Sequence, residues 1–382
     1  MSSSTRQNIV IVGGGFAGIG VFNQLYDTID ASKYDLFLIS DRDYVAYYPA
    51  ALRMSISPED DLENQVLMKY NSRFNQANKK TIIGKVTTID QRSDKSGGTV
   101  TLANGQKVEW AFLVLTPGGR WEGIVNIPEA KKDVGAFIRS WKSKVEKAND
   151  IVLIGGGAVG IEAAGEIKEY YPRKNVTIVH GSDSLLNASY PAKFRSAATK
   201  RVIARGVNVI LNDYIDEWDE CDGKVTTRNG KFIVSDLVIQ ARGFTPNTDF
   251  VASSLGEETI TRSKTIKVLP TLQLGPNHPR IFAGGDVIDW PEQKQAGKVA
   301  FHAAVIAKNI VSMSQGKGAP AIYKGAFDGI IITIGKTQGV GFLRLLWGIV
   351  LGNWFSAWIK SKNLMVEMSR KSLKLDSYAT SS

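Results

Sequence analysis

Two glycine clusters in the sequence have the spacing that binds the pyrophosphate group of a dinucleotide. The first cluster is Gly13, Gly15 and Gly18, and the second is Gly155, Gly157 and Gly160. In this G-x-G-x-x-G pattern the first glycine permits a tight turn, the second lets a phosphate approach the backbone, and the third lets a helix pack closely on a strand. The N-terminus of that helix offers free N–H groups to the phosphates. We therefore expect two dinucleotide sites in one chain.

Each cluster lies between residues that predict a buried strand and residues that predict a helix, as the motif requires. The first unit comprises strand 9–12, helix 16–26 and strand 34–39, and the second comprises strand 151–154, helix 161–167 and strand 176–179. Short apolar runs bounded by glycine are typical of parallel strands that are covered on both faces. The sequence therefore predicts an α/β protein with two Rossmann-like dinucleotide-binding domains.

The end of the second strand in such a unit usually carries an acid for the adenosine ribose. In the first unit this position falls on Ser40, with Asp41 next, and either residue fits the role. In the second unit the strand ends at His180-Gly181-Ser182, which offers neither an acid for NADH nor an arginine for NADPH. The choice between the two nicotinamide coenzymes stays open.

The composition excludes several classes of redox protein. With 382 residues, 43% of them hydrophobic, the chain is long enough for two or three folded domains. Cys221 is the only cysteine, so neither a disulfide framework nor a C-x-x-C redox pair can form, and no metal-binding or haem motif is present. The net charge of +10 suits an anionic partner such as a dinucleotide or an acidic membrane surface. Nucleic acid is possible but less favoured, because the sequence has no nucleic-acid-binding motif.

The segment before the first strand, residues 1–7, is too short for a signal or transit peptide. N-myristoylation needs a glycine where this chain has Ser2. We therefore expect a cytoplasmic protein without a lipid anchor at this end.

Residues 341–359 predict an amphipathic helix, because Trp347, Trp354 and Trp358 recur at helical spacing on one face. A buried core helix, a membrane-spanning helix and a helix in the membrane interface are the three interpretations. Arg344 and Asn353 argue against a spanning helix. We favour peripheral membrane contact through residues 341–374, with anionic lipid bound by Lys360, Lys362, Arg370, Lys371 and Lys374.

Six segments of the sequence, two of which contain the glycine clusters, carry a resemblance to a known family. They are IVGGGFAGI (11–19), PAALR (49–53), GGGAVGIEAAGEIKEYYP (155–172), AGGD (283–286), KQAGKVAFHAAVIAKNI (294–310, in a predicted helix 293–312) and KSKNL (360–364). Together they resemble the pyridine nucleotide-disulfide oxidoreductase superfamily, and within it the apoptosis-inducing-factor-like flavoproteins of the ferroptosis suppressor type. The resemblance implies an NAD(P)H-binding domain inserted in an FAD-binding domain. The expected parts are 1–120 and 244–320 for FAD, 121–243 for NAD(P)H, and a small C-terminal domain at 321–382.

The resemblance also implies roles for individual residues. FAD would be bound by Gly13, Gly14, Gly15, Phe16, Ala17, Gly18, Arg53, Val86 and Asp286. NAD(P)H would be bound by Gly155, Gly157, Gly160 and Glu162. Glu162 would hold the coenzyme against the flavin, and Lys294 would place positive charge beside it. Without the resemblance, Arg53, Glu162 and Lys294 are ordinary surface charges, Asp286 is a turn residue, and His302 is a core residue.

The implied activity is that of an FAD-dependent NAD(P)H:quinone oxidoreductase, which passes hydride from NAD(P)H to flavin and two electrons to a membrane quinone. A ubiquinone-like acceptor is expected because the chain has no cysteine pair to carry electrons onward. One alternative is a redox-sensing or DNA-binding death effector with little turnover, and another is a ferredoxin or rubredoxin reductase. We expect a monomer or homodimer, peripheral on a membrane such as the mitochondrial outer membrane or the lipid droplet surface.

Overall fold

A computed structural model describes the chain at residues 6–59, 62–219, 222–344 and 348–376. Its first part alternates strands and helices around the first glycine cluster. The elements are β1 (Gln7–Val12), α1 (Phe16–Thr28), β2 (Tyr34–Ser40), β3 (Tyr44–Ala46), α2 (Tyr48–Ile56), α3 (Leu62–Val66), β4 (Leu67–Lys69), β5 (Lys79–Ile83), β6 (Val86–Gln91), β7 (Gly98–Leu102), β8 (Lys107–Trp110), β9 (Phe112–Leu115) and β10 (Gly119–Arg120).

The middle part repeats this alternation around the second glycine cluster, and a return part follows it. The middle elements are α4 (Lys131–Lys147), β11 (Asp150–Ile154), α5 (Ala158–Tyr170), β12 (Asn175–His180), α6 (Ala192–Ala204), β13 (Val207–Leu211), β14 (Lys224–Thr226), β15 (Phe232–Val234), β16 (Leu237–Gln240) and β17 (Thr245–Pro246). The return elements are α7 (Asp249–Leu255), β18 (Ile266–Lys267), β19 (Gln273–Gly275), β20 (His278–Ala283), β21 (Ile288–Asp289) and α8 (Val299–Ser314).

The chain completes its first sheet only after it has passed through the middle part. The strand order of this sheet is β19-β20-β9-β1-β2-β5. β20 lies parallel to β9, with Ile281 opposite Leu113 and Ala283 opposite Leu115. The second sheet, β13-β12-β11-β16, is parallel throughout. These sheets confirm the predicted α/β fold class, and the second dinucleotide unit is inserted in the first.

The C-terminal part is a small antiparallel sheet followed by short helical turns. Its elements are β22 (Gly329–Ile334), β23 (Gln338–Leu343), β24 (Ile349–Leu351), α9 (Asn353–Ser356), a π-helical turn (Ala357–Ser361) and α10 (Val366–Ser372). The amphipathic helix predicted for residues 341–359 is therefore wrong. β23 pairs with β24 across this segment, and Gly348 between the strands has a φ of +83°, which an α-helix does not contain. The pairing of β23 with β24 determines the structure here, although the tryptophans recur at helical spacing. Trp347 and Cys221 lie outside the described residues.

Helix α5 joins the C-terminal sheet to the second dinucleotide unit. A Cβ atom at Gly165 would lie only 2.5 Å from the Cα atom of Ile334, so the glycine lets the β22 backbone approach the helix. Glu162 accepts a hydrogen bond from the Thr333 backbone N–H, and Glu169 accepts one from the Lys336 backbone N–H. The C-terminal sheet is therefore fixed to the helix that begins at the second glycine loop.

Two tryptophans stand on the outer surface of the C-terminal part. Trp354 is 78% exposed and Trp358 is 69% exposed. Their rings stack nearly parallel, with centroids 6.3 Å apart. Within the described residues, no helix combines the length and the apolar character needed to cross a membrane.

Candidate functional site

A cleft runs along the carboxyl ends of the first sheet and reaches the start of α8. Its lining includes residues 13–17 of the first glycine loop, 40–42 after β2, 116–119 after β9, 284–286 after β20, and Ala296 and Val299. α/β sheets bind their ligands at this edge. The structure therefore brings together Gly13, Gly14, Gly15, Phe16, Ala17 and Asp286 of the residues predicted to bind FAD.

The geometry of the first glycine loop fits a dinucleotide. Gly13 has a φ of +108°, and a Cβ atom there would lie 2.0 Å from the Thr116 carbonyl oxygen. A Cβ atom at Gly18 would lie 1.9 Å from the Gly13 carbonyl oxygen, so α1 packs directly on the loop. A Cβ atom at Gly15 would meet no described atom within 4 Å, which leaves its backbone open to a phosphate. The loop therefore fits the pyrophosphate of FAD.

Tyr70 supports this loop and was not predicted from the sequence. Its hydroxyl donates to the Gly14 carbonyl oxygen at 2.9 Å and lies 3.1 Å from the Ser40 hydroxyl. Burial raises the pKa of Tyr70, so the phenol keeps its proton. Ser40 also accepts a hydrogen bond from the Arg42 backbone N–H, whereas the Asp41 side chain is about one-third exposed in the cleft. These contacts favour Asp41 over Ser40 for the ribose.

Asp286 lines the far end of the cleft, and Lys294, which lies outside that lining, is close enough for its charge to act on the Asp286 carboxylate. Burial raises the pKa of Asp286, although the charge of Lys294 opposes this. Burial has the opposite effect on Lys294 and lowers its pKa. Its Nζ donates to the carbonyl oxygens of Ile288 and Trp290 at 2.6 and 3.4 Å.

The long helix predicted for 293–312 begins later, at Val299, so Lys294 lies in the preceding loop. The early start is wrong because the segment around Gly297 is a 3-10 turn with no side-chain cap.

The second glycine loop repeats the geometry of the first. A Cβ atom at Gly155 would lie 2.5 Å from the Ala241 carbonyl oxygen, and one at Gly160 would lie 2.0 Å from the Gly155 carbonyl oxygen. A Cβ atom at Gly157 would again meet no described atom within 4 Å. Gly157 directly precedes α5, so this loop fits the pyrophosphate of the nicotinamide coenzyme.

Glu162, on the first turns of α5, is paired with a lysine from the far end of the chain. Lys360 donates to its carboxylate at 2.7 Å and also to the Ile331 carbonyl oxygen at 2.9 Å. The side chains of Lys360 and Glu162 are only 15% and 12% exposed. Lys360 was predicted to contact lipid; its position inside the protein contradicts this. The contact of Lys360 with the Glu162 carboxylate had no signal in the sequence beyond the place of Lys360 in the KSKNL segment.

Arg53 and Val86 lie outside the lining of the cleft. Arg53 is buried and forms two parallel hydrogen bonds with Glu166, at 2.9 and 2.7 Å, and a third with the Lys362 carbonyl oxygen. Its side chain therefore connects α2 to α5 and to the C-terminal segment. Val86 is buried at the start of β6. Contacts of these two residues with FAD remain predictions.

Comparisons with known proteins agree with this geometry. Residues 7–304 match the model of the family described as pyridine nucleotide-disulphide oxidoreductase. The chain is 39% identical to FAD-dependent oxidoreductase FVFD30 of Flammulina velutipes, over 83% of this chain and 98% of the relative. It is 27% identical to ferroptosis suppressor protein 1 of Xenopus tropicalis, over 96% of this chain and 95% of the relative.

The fold is also that of a solved structure, the sulfide:quinone oxidoreductase of Aquifex aeolicus. The TM-score is 0.76 at 18% identity, over 96% of this chain and 92% of that chain. Together with the two glycine loops, these matches confirm the predicted resemblance and the two predicted cofactors. The chain belongs to the pyridine nucleotide-disulphide oxidoreductase family and is one of its FAD-dependent, NAD(P)H-using oxidoreductases.

Proposed function

We propose that the chain is an NAD(P)H:quinone oxidoreductase that takes its quinone from a membrane surface. One observation carries this proposal. The segment 353–361 exposes Trp354 and Trp358 on the surface and places Lys360 against Glu162 inside. This short segment therefore joins an aromatic surface, of the kind that binds at the lipid headgroups, to the Glu162 carboxylate that we place beside the coenzyme.

The residues of the chain bind and orient the reactants. When bound, FAD would supply the redox chemistry, which is hydride transfer from NAD(P)H followed by transfer of two electrons to the acceptor. The open backbones at Gly15 and Gly157 would hold the two pyrophosphates, and Asp286 would bind the ribitol of FAD. Lys360 fixes the Glu162 carboxylate where the nicotinamide is held, and Lys294 supplies positive charge near the flavin.

A small acceptor is favoured because Cys221 is the only cysteine, so no dithiol in this chain can take electrons onward. The sulfide:quinone oxidoreductase that shares the fold has, by its name, a quinone acceptor. Both points support a quinone, and the aromatic surface supports one that is delivered by lipid.

The charges that would meet anionic lipid differ from those predicted. Arg370 donates to the carbonyl oxygens of Asn64 and Gln65, and Lys374 is paired with Asp27, so both are engaged by the protein itself. Lys362, which directly follows the tryptophan segment, and Lys371, further on in α10, are both exposed. Arg201 on α6 reaches Asn353 at the start of the segment. We expect these last three cations to face the headgroups.

Steady-state turnover of NADH with a water-soluble quinone tests the activity. We expect continuous turnover by the wild type and a loss of about tenfold or more in Glu162→Ala and Lys294→Ala, because each loses a charge beside the reacting groups. A wild type that reduces its flavin once and then stops would overturn the oxidoreductase proposal in favour of a redox sensor. Turnover only with ferredoxin or rubredoxin would favour the reductase alternative.

Flotation with vesicles of phosphatidylcholine and phosphatidylserine tests the membrane contact. The double variant Trp354→Ala/Trp358→Ala should stay at the bottom of the gradient while the wild type floats. Phe232→Ala is the matched control, because Phe232 is 70% exposed on β15, in a different part of the chain. Equal flotation of the double variant and the wild type would contradict the proposed surface.

A further inference from the structure

A buried hydrogen-bonded dyad lies directly behind the Asp286 end of the cleft. The His302 ring, on α8, accepts a hydrogen bond through Nδ1 from the Gly285 backbone N–H at 3.0 Å. Its other nitrogen, Nε2, lies 3.0 Å from the Glu292 carboxylate. Because Nδ1 accepts, Nε2 must carry the proton and donate it to Glu292. The histidine therefore has one defined tautomer and links the cleft backbone to a carboxylate.

Glu292 is held in place from several sides. The Tyr323 hydroxyl donates to it at 2.7 Å, and the Lys298 ammonium lies 3.6 Å away and also pairs with Asp328. Burial alone would raise the pKa of Glu292, but the hydrogen bonds from His302 and Tyr323 outweigh burial and lower the pKa to about 2. Glu292 is therefore an anion at every physiological pH, and the side chains of His302 and Glu292 are only 3% and 6% exposed.

The backbone that this dyad holds is confined on its other side as well. Gly285 has a φ of +80°, and a Cβ atom there would lie 2.9 Å from the Cβ atom of Ala17 on α1. The loop 284–286 is therefore fixed between α1 and His302, with Asp286 at its end in the cleft. A shift of His302 would move the carboxylate that meets FAD.

We propose that Glu292 and His302 are positioning residues for FAD: His302 fixes the Gly285–Asp286 backbone against the cofactor, and the Glu292 anion makes the flavin harder to reduce. The first effect follows because an unpaired buried N–H at Gly285 would destabilise the loop. The second follows because a fixed negative charge in a poorly solvated interior opposes the negative charge of reduced flavin. The inference rests on FAD binding and does not depend on the acceptor.

Three variants of the holoprotein test the two effects separately. His302→Leu removes the acceptor for Gly285 and should weaken FAD binding about tenfold. His302→Asn places a carbonyl oxygen near the position of Nδ1 and should recover most of that affinity. Glu292→Gln keeps an acceptor for His302 but removes the charge, so it should retain FAD while its midpoint potential moves to a more positive value.

Asn309→Ala is the matched control. Asn309 is fully buried on the same helix and bonds to the backbone of Thr271 and Ala321, away from Gly285. Its loss should lower the melting temperature without changing the FAD affinity or the midpoint potential. FAD release is measured by flavin fluorescence and the potential by titration against a reference dye.

Three results would overturn the proposal. They are an unchanged FAD affinity in His302→Leu, an unchanged potential in folded Glu292→Gln, and an equal loss of FAD in Asn309→Ala. A failure of quinone turnover in the wild type would leave these measurements intact and would count only against the proposed function.

Discussion

The Glu162 carboxylate accepts a hydrogen bond from Lys360 Nζ at 2.7 Å, across 198 residues of chain. Glu162 belongs to the helix of the second glycine loop, and Lys360 belongs to the π-helical turn that also carries Trp358. The pair thus joins the C-terminal segment to the helix that follows the second glycine loop. Removal of either partner leaves the other charge poorly solvated and without its counter-ion.

Lys360→Met should slow flavin reduction by NAD(P)H about tenfold or more, because Glu162 loses a charge-assisted hydrogen bond that fixes it. Anaerobic stopped-flow absorbance measures this step without any acceptor. Lys362→Met is the control, since Lys362 is exposed two residues further on. Equal rates in the two variants would show that the pair does not act on the coenzyme step.

Arg53→Met should lower the free energy of unfolding by about 3–5 kcal/mol, because it leaves the buried Glu166 carboxylate without its partner. The double variant Arg53→Met/Glu166→Met should return most of this loss, since it removes both charges. Denaturant unfolding measures both. FAD affinity tests whether Arg53 also contacts the cofactor, as the sequence predicts. If it does, Arg53→Met should weaken FAD binding, and the double variant should recover stability without recovering FAD affinity.

Gly157→Ala should leave the fold intact and raise the KM for NAD(P)H about tenfold or more. Gly157 has a φ of −74°, which alanine adopts freely, and its Cβ would meet no described atom, so only the approaching phosphate is obstructed. Gly160→Ala provides the contrast, because its Cβ would lie 2.0 Å from the Gly155 carbonyl oxygen. That variant should lose about 1–3 kcal/mol of stability. Melting temperature and steady-state kinetics distinguish the two effects.

The Glu292 anion should contribute stability that disappears in acid. Its pKa is about 2 in the folded protein and 4.5 in its ordinary state, so the contribution is complete above pH 4.5 and is lost as the pH falls towards 2. The stability difference between wild type and Glu292→Gln should therefore shrink progressively across that interval. Denaturant unfolding at a series of pH values measures it; a difference that stays constant from pH 7 to 3 would contradict the low pKa.

The local features of the fold were predictable from the sequence. Each strand–glycine–helix unit is contiguous, and the functions of Gly13 and Gly155 depend on backbone geometry that the motif itself specifies. The helix predicted for residues 341–359 is wrong because helical spacing and strand pairing compete in this segment. The pairing of β23 with β24 is a tertiary contact, which the periodicity of the sequence does not encode.

The partners of the site residues were not predictable, for a different reason. Arg53 and Glu166 are 113 residues apart, and Glu162 and Lys360 are 198 apart. No spacing rule connects charges at such separations, so the sequence indicates roles for Arg53, Glu162 and Lys360 but not the partners that they bind. Tyr70 was missed for the same reason, since its contact with Gly14 crosses 56 residues.

The place of β20 beside β9 has a consequence for how the protein folds. During synthesis, residues 281–283 emerge long after the Phe112–Leu115 strand that they must join. The strands of the inserted unit around β11 all come from one stretch of chain, so this unit can form first. The edge of β9 that pairs with β20 stays unpaired until β20 has been synthesised. We therefore expect the FAD-binding sheet to be the slow step of folding, and truncated chains that end before β20 to aggregate through that open edge.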